Sequence, residues 1–141
     1  MTTSPADALC EFVPPFLRFL REGTAKIDLS PARFQILQAL RQAQPSSMVE
    51  LADRLSVTKR NITTLVDALE LDGLVKRSPH PTDRRSKLVA LTEKGEATSR
   101  EAAKLQRQHL EDLIATLTPQ QQDLMAEALA QLTAAMTSDR G

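Results

Sequence analysis

The sequence predicts a mainly α-helical chain in which one small β-hairpin interrupts a run of helices. Three observations carry this. Apolar residues recur at helical spacing over most of the 141 residues. Most of these segments begin at a serine or threonine placed to cap them. Only after Gly73 does the period become that of strands, in Leu74–Arg77 and again in Lys87–Leu91.

The elements follow in order. A first helix is expected from about Pro5 to Gly23, with Phe12, Phe16 and Phe19 on one face. Pro14 and Pro15 lie inside it and predict a kink or a break, because proline removes a helix hydrogen bond. Ser30-Pro31 opens a second helix with a serine cap and proline at the first position. Its apolar stripe is Phe34, Ile36, Leu37 and Leu40. Pro45-Ser46-Ser47 reads as a break, and Ser47 with Glu50 forms a capping box for a short third helix. That helix turns Leu51, Ala52 and Leu55 inward. A tight turn at Ser56-Val57 follows, and Thr58 caps a fourth helix that runs to about Asp72. Gly73 stands where a positive φ is needed. Between the two strands, Ser78 to Ser86 contains Pro79 and Pro81 and reads as a loop. Thr92 caps a fifth helix to about Leu117. Thr118-Pro119-Gln120-Gln121 restarts a last helix carrying Leu124, Met125, Leu129, Leu132 and Met136.

Composition narrows the function classes. Eighteen basic residues balance eighteen acidic ones, which argues against a general polyanion binder. The distribution is uneven, however. From Val75 to Lys94 there are six basic residues (Lys76, Arg77, Arg84, Arg85, Lys87, Lys94) against Asp83 and Glu93, a net +4. A local excess of this kind can meet phosphate while the rest stays neutral. Four Phe and no Trp or Tyr make single-strand binding by base stacking a poor fit. Cys10 is the single cysteine, so no intrachain disulfide forms and a cytoplasmic protein is expected. The N-terminal segment carries Asp7 and Glu11 and no long apolar run, so neither a secretory signal nor a membrane span is expected. His80 and His109 lie far apart, and no metal-spaced Cys/His set, nucleophile motif or phosphate loop exists. The expectation is therefore a protein that is not an enzyme, with no metal and no cofactor. His80 itself reads as a polar loop group or a phosphate contact.

Two helices joined by a tight turn and followed by a hairpin is the winged helix-turn-helix order. In that architecture one helix enters the major groove while its apolar side stays anchored. The fourth helix fits: Ile62, Leu65, Val66 and Leu69 fall on one stripe, with Arg60 and Thr64 opposite, flanked by Asn61 and Thr63. Arg, Asn and Thr are side chains that read base edges. Thr58 and Lys59 stand at the helix N-terminus, where free N–H groups suit a phosphate oxygen. Arg84 and Arg85 at the hairpin tip suit a narrow minor groove. Lys76, Arg77 and Lys87 on the strands would take phosphates, and Asp83 would hold one of the guanidiniums. The competing reading is a winged-helix protein-interaction module, which would lack such basic and amide residues.

The run Leu51-Ala52, Val57-Thr58 and Leu69-Glu70-Leu71-Asp72-Gly73-Leu74-Val75-Lys76-Arg77 resembles the MarR family pattern. In that family a helix-turn-helix leads into "LE-x-x-GLV-x-R". Pro81 to Gly95 is similar to the family's wing, "D-x-R" followed by "LT-x-x-G", with Asp83 and Arg85 in the first motif. The resemblance implies that Arg85 is a minor-groove arginine supported by Asp83. It also implies a homodimer held by the first and the last two helices. Residues 1–30 would then be an N-terminal dimerisation helix, 31–95 the DNA-binding region, and 96–141 the C-terminal dimerisation helices. The terminal helices support this independently, since they are long and amphipathic and the middle region offers them little surface. Phe12, Phe16, Phe19, Leu124, Leu129 and Leu132 are the interface candidates. The implied function is a regulator, in particular a repressor, acting as a homodimer on palindromic double-stranded DNA.

Relatives of this kind release DNA on binding a small aromatic or anionic effector, or on oxidation of a cysteine. An effector pocket would involve Phe16, Arg33 and Phe34. Cys10 stands where peroxide-sensing relatives carry a thiol. This chain lacks the tyrosines of that subgroup, and no Lys, Arg or His lies within seven residues of Cys10. Such surroundings favour a buried, inert cysteine over a redox sensor.

Overall fold

The computed structural model describes residues 3–138. Its elements are α1 (Pro5–Gly23), a 3₁₀ turn (Ala25–Ile27), α2 (Pro31–Gln42), β1 (Ser46–Ser47), α3 (Met48–Leu55), α4 (Lys59–Leu71), β2 (Val75–Pro79), β3 (Lys87–Leu91), α5 (Glu93–Ile114) and α6 (Pro119–Ser138). The fold is mainly helical with one small antiparallel sheet, as the sequence predicts. The chain divides into two compact units, Met1–Gln106 and Arg107–Gly141.

Local chemistry places the helix starts. Ser30 Oγ accepts the Arg33 amide at 3.3 Å, and Thr58 Oγ1 accepts the Asn61 amide at 3.1 Å. Ser47 and Glu50 satisfy each other's backbone N–H at 3.1 and 3.4 Å. Thr92 Oγ1 accepts the Gly95 amide at 3.0 Å. Each cap of this type is worth about 1 kcal/mol. Gly73, after the end of α4, has φ 76°, a conformation that glycine adopts without strain.

Two expectations are corrected. Of the kink or break expected at Pro14 and Pro15, the break does not occur: α1 is one helix from Pro5 to Gly23. Cys10 and Glu11, whose carbonyls lose their donors, are exposed, so water can take up those carbonyls. The segment at Ser46-Ser47 is a third strand, with sheet order β1-β3-β2. It pairs Ser46 with Val89 and Ser47 with Leu88. β2 also reaches Pro79, which pairs with Lys87. As an edge strand, β2 tolerates a proline.

The core of the first unit is one apolar cluster. Ile36, Leu37 and Leu40 from α2, Leu51 from α3, Ile62, Val66 and Leu69 from α4, and Val89 from β3 are all fully buried. Burying each such side chain contributes roughly 1.5–3 kcal/mol. The end of α4 is tied to the start of α5. Thr92 donates through Oγ1 to the Gly73 carbonyl at 2.6 Å and through its amide to the Leu74 carbonyl at 3.1 Å. Lys94 Nζ donates to the Asp72 carbonyl at 2.9 Å. A Cβ at Gly95 would overlap the Leu74 carbonyl, so only glycine fits this joint. These contacts fix where the hairpin leaves α4.

In the second unit Thr118 and Gln121 form the predicted capping box at 3.2 and 2.9 Å. Gln122 Nε2 donates to the Ile114 and Leu117 carbonyls at 3.3 and 3.1 Å. Neither α1 nor α6 contains a buried residue. Among the described residues, no helix is long and apolar enough to cross a membrane.

Candidate nucleic-acid interface

α4 is amphipathic in the sense its sequence predicts. Ile62, Val66 and Leu69 are buried and Leu65 packs beside them, while Lys59, Arg60, Asn61, Thr63 and Thr64 are exposed. The anchored stripe thus holds the helix while its first two turns face outward. Thr63 and Thr64 donate their hydroxyls back to the carbonyls of Lys59 and Arg60 at 2.8 and 3.1 Å. This commits each hydroxyl proton and leaves the methyl group and an acceptor lone pair for a base edge. Thr58 caps only the Asn61 amide, so the amides of Lys59 and Arg60 remain at the positive end of the helix dipole.

The hairpin carries the second group. β2 and β3 pair in register from Val75–Leu91 to Pro79–Lys87, which puts residues 80–86 at the tip. Lys76, Asp83, Arg84, Arg85 and Lys87 are exposed. Among the described residues, no ion pair or hydrogen bond engages the side chains of Lys59, Arg60, Lys76, Arg84, Arg85 or Lys87. Some other cations are engaged. Arg33 pairs with Asp72 at 3.5 Å, and Arg54 donates to the Ala39 carbonyl and to Gln42 at 3.1 and 3.2 Å. Six uncommitted cations therefore stand at the N-terminal end of α4 and on the hairpin.

Two sequence-derived roles change. Arg77 was expected to face phosphate, but it pairs with Asp67 of α4. Asp67 is one turn beyond Thr63 and reaches β2, so this cation staples the hairpin to the helix. Asp83 was expected to hold a guanidinium. Its Oδ1 instead accepts the backbone amide of Arg85 at 3.0 Å. A short aspartate side chain reaches a backbone N–H two residues on more readily than a long, mobile side chain. Asp83 thus shapes the turn and leaves the Arg85 guanidinium uncommitted.

His80, which the sequence marks only as a polar loop group or a phosphate contact, is half-buried at the base of the tip. Its Nδ1 accepts the amides of Thr82 and Asp83 at 3.2 and 3.0 Å. Sequence reasoning missed Gln44, whose Oε1 accepts the Leu91 amide at 2.8 Å while Nε2 donates to Glu96 at 3.3 Å. No local pattern announces either contact, although the Pro79-His80-Pro81 run does mark an enforced turn.

The expected pocket residues do not all line one depression. An open depression of about 360 Å³ is lined by Phe34, Gln35, Gln38, Ala39, Gln42, Arg54 and Leu55. Of the expected set only Phe34 lines it. Arg33 is turned to Asp72, and Phe16 stacks on Phe12 with ring centroids 4.7 Å apart. Cys10 is exposed, not buried, because nothing in the first unit covers that turn of α1. Phe16 and Phe19 are half-buried, while Leu9, Phe12, Val13 and Leu17 of α1 are exposed. Leu124, Leu129, Leu132 and Met136 of α6 are exposed as well. Among the described residues, no group of three or more His, Cys, Asp or Glu is placed to hold a metal.

A helix anchored by one stripe, a tight turn before it and a cationic hairpin after it define a winged helix-turn-helix protein. Comparison with known proteins agrees. The MarR family model matches residues 29–87. The multiple antibiotic resistance protein MarR of Escherichia coli (strain K12) is 36% identical over 102 residues, covering 72% of this chain and 71% of that protein. The transcriptional repressor CouR bound to a 23-mer DNA duplex superposes with a TM-score of 0.83 at 30% identity, covering 92% of each chain. A cysteine variant of MarR from E. coli complexed with operator DNA gives 0.78 at 30% identity, covering 91% of this chain and 93% of that one. The chain belongs to the MarR family, whose members are transcription regulators and not enzymes.

Proposed function

We propose that this regulator is a homodimeric, sequence-specific repressor that binds palindromic double-stranded DNA in the cytoplasm and is released by a small effector. The observation that carries the reading is the placement of uncommitted polar and cationic groups. Arg60, Asn61, Thr63 and Thr64 stand opposite the buried stripe of α4, and Arg84 and Arg85 stand at the hairpin tip. In this reading Arg60 and Asn61 meet base edges in the major groove, and Thr63 and Thr64 offer methyl groups to thymine. Thr58, Lys59, Lys76 and Lys87 meet phosphates, and Arg85 with Arg84 enters the minor groove. Residues 31–95 form the DNA-binding region. Residues 1–30 and 96–141 supply the dimer contacts, because both terminal helices leave apolar side chains uncovered in the single chain. A two-fold dimer matches a palindrome. DNA-bound relatives and a relative described as a repressor support the same reading.

The effector belongs at the α2–α3 depression, where Phe34 offers an aromatic face and Arg54 a guanidinium. A small aromatic acid fits that chemistry.

A gel shift on DNA flanking the chain's own gene, over a salt series, tests the binding mode. Arg60→Ala and Thr64→Ala should narrow the gap between operator and random DNA by about 1–3 kcal/mol. Lys76→Ala should weaken both and lower the salt slope by about one unit. Identical behaviour of the three variants would contradict this division of base and phosphate contacts.

A further inference from the structure

The tip of the hairpin is built by two side-chain locks in series. His80 Nδ1 accepts the amides of Thr82 and Asp83 at 3.2 and 3.0 Å. Asp83 Oδ1 then accepts the amide of Arg85 at 3.0 Å. The backbone closes the loop with the Ser86 amide on the Asp83 carbonyl at 3.1 Å and the His80 amide on the Ser86 carbonyl at 3.4 Å. Pro79 and Pro81 flank His80 and carry no N–H, so neither can donate to the loop. The imidazole is thus the first fixed point of the turn that presents Arg84 and Arg85.

A backbone amide can only donate. Nδ1 must therefore carry its lone pair, and the ring's proton sits on Nε2. Two amide donors converge on that one lone pair, with the Thr82 hydroxyl 3.4 Å away as a third neighbour. Proton uptake at Nδ1 would replace the acceptor with a donor facing the two amides, which would repel it, and would leave the Thr82 oxygen as the one neighbour able to accept. The charged residues on the loop and its two strands are Asp83, Arg84, Arg85, Lys76, Arg77 and Lys87. Asp83 meets the ring through its backbone amide, and none of these side chains bonds the imidazole. Among the described residues, no carboxylate is hydrogen-bonded to the ring to hold a second proton in place.

We propose that His80 is a positioning residue for the hairpin's DNA contact: its neutral imidazole sets the turn that aims Arg84 and Arg85, and protonation of the ring releases it. The proposal rests on the reading of the hairpin as a DNA contact. Specific binding then falls as pH is lowered, while the added positive charge favours DNA of any sequence. The ratio of specific to random affinity is the quantity that moves.

The test uses the full chain and a duplex of about 30 base pairs that the protein itself selects from a randomised pool, long enough for two half-sites. A random duplex of equal length is the reference. Both affinities are measured between about pH 8 and about pH 5.5. For the wild type the ratio should fall by about fivefold to a hundredfold, the worth of one wing arginine. His80→Asn places an oxygen acceptor on the same γ carbon and does not titrate. It should keep the wild-type ratio at high pH and show no fall. His80→Gln moves the acceptor one bond further out and should lose the ratio at every pH, as should His80→Ala. Circular dichroism confirms that each variant folds. A wild-type ratio for His80→Ala at high pH would overturn the proposal, as would an unchanged pH fall in His80→Asn. Arg85→Ala separates the two readings. If it leaves the ratio intact, the DNA contact of the hairpin fails; if it lowers the ratio while His80→Ala does not, only the role of His80 fails.

Discussion

The centre of the chain and its two ends solve the same problem differently. From α2 to β3, most apolar side chains are covered by the chain itself, Val49 and Leu71 apart, and Ile36, Leu37, Leu51, Ile62 and Val89 have no exposed surface. In α1 and α6 no residue is buried, and Leu17 and Leu129 are 53% and 52% exposed. Both kinds of segment are rich in leucine, so composition does not separate them. The difference lies in what covers the stripe. A region that buries its own stripe can fold without help, whereas an uncovered stripe calls for another surface. The first property suits a helix that must be held rigidly against DNA, and the second suits a subunit contact.

That contrast can be broken experimentally, and the core should give the largest effect. Leu37→Ala removes a fully buried side chain and should destabilise the fold by about 2–5 kcal/mol in chemical denaturation. A loss below 1 kcal/mol would mean that the centre does not depend on that packing. Gly95→Ala comes next, because the new methyl must displace the Leu74 carbonyl at the joint between α4 and α5. About 1–3 kcal/mol should be lost, with a lower thermal midpoint as the readout. Wild-type behaviour there would show that the joint can yield. The smallest effect is expected at Ser99, whose buried hydroxyl has no hydrogen-bond partner among the described residues. Ser99→Ala should be neutral or stabilise by up to about 1 kcal/mol, since it removes an unpaired polar group. A clear destabilisation would reveal a partner for that hydroxyl.

The same contrast explains what the sequence discloses. Caps at Ser30, Ser47, Thr58, Thr92 and Thr118 are local devices, each closed within three residues, and all five form as their spacing implies. The stripe of α4 is legible for the same reason. β1 is not, because two serines carry no strand signal and their partner lies some forty positions away at Leu88 and Val89. Long-range choices also decide the charged residues. Nothing near Arg77 in sequence marks Asp67 as its partner, and nothing near Arg33 marks Asp72. The cationic residues of the candidate interface were legible as a set. Which of them remain uncommitted became visible only when the chain was folded. Asp83 and His80 show a further limit: both act on backbone amides, and a residue type alone does not reveal that choice.

The claim that joins the two regions is that the uncovered ends make a dimer and the covered centre binds DNA through it. One winged helix reads too few base pairs to select a genomic site, and two linked copies gain avidity at a fixed spacing. Sedimentation of the protein with and without its selected duplex tests this most directly. The account predicts a dimer at about micromolar concentration and two chains per duplex. It also predicts that Leu129→Glu with Leu132→Glu abolishes both while the hairpin is untouched. A wild-type chain that sediments as a stable monomer and binds its duplex tightly as a single copy would contradict it.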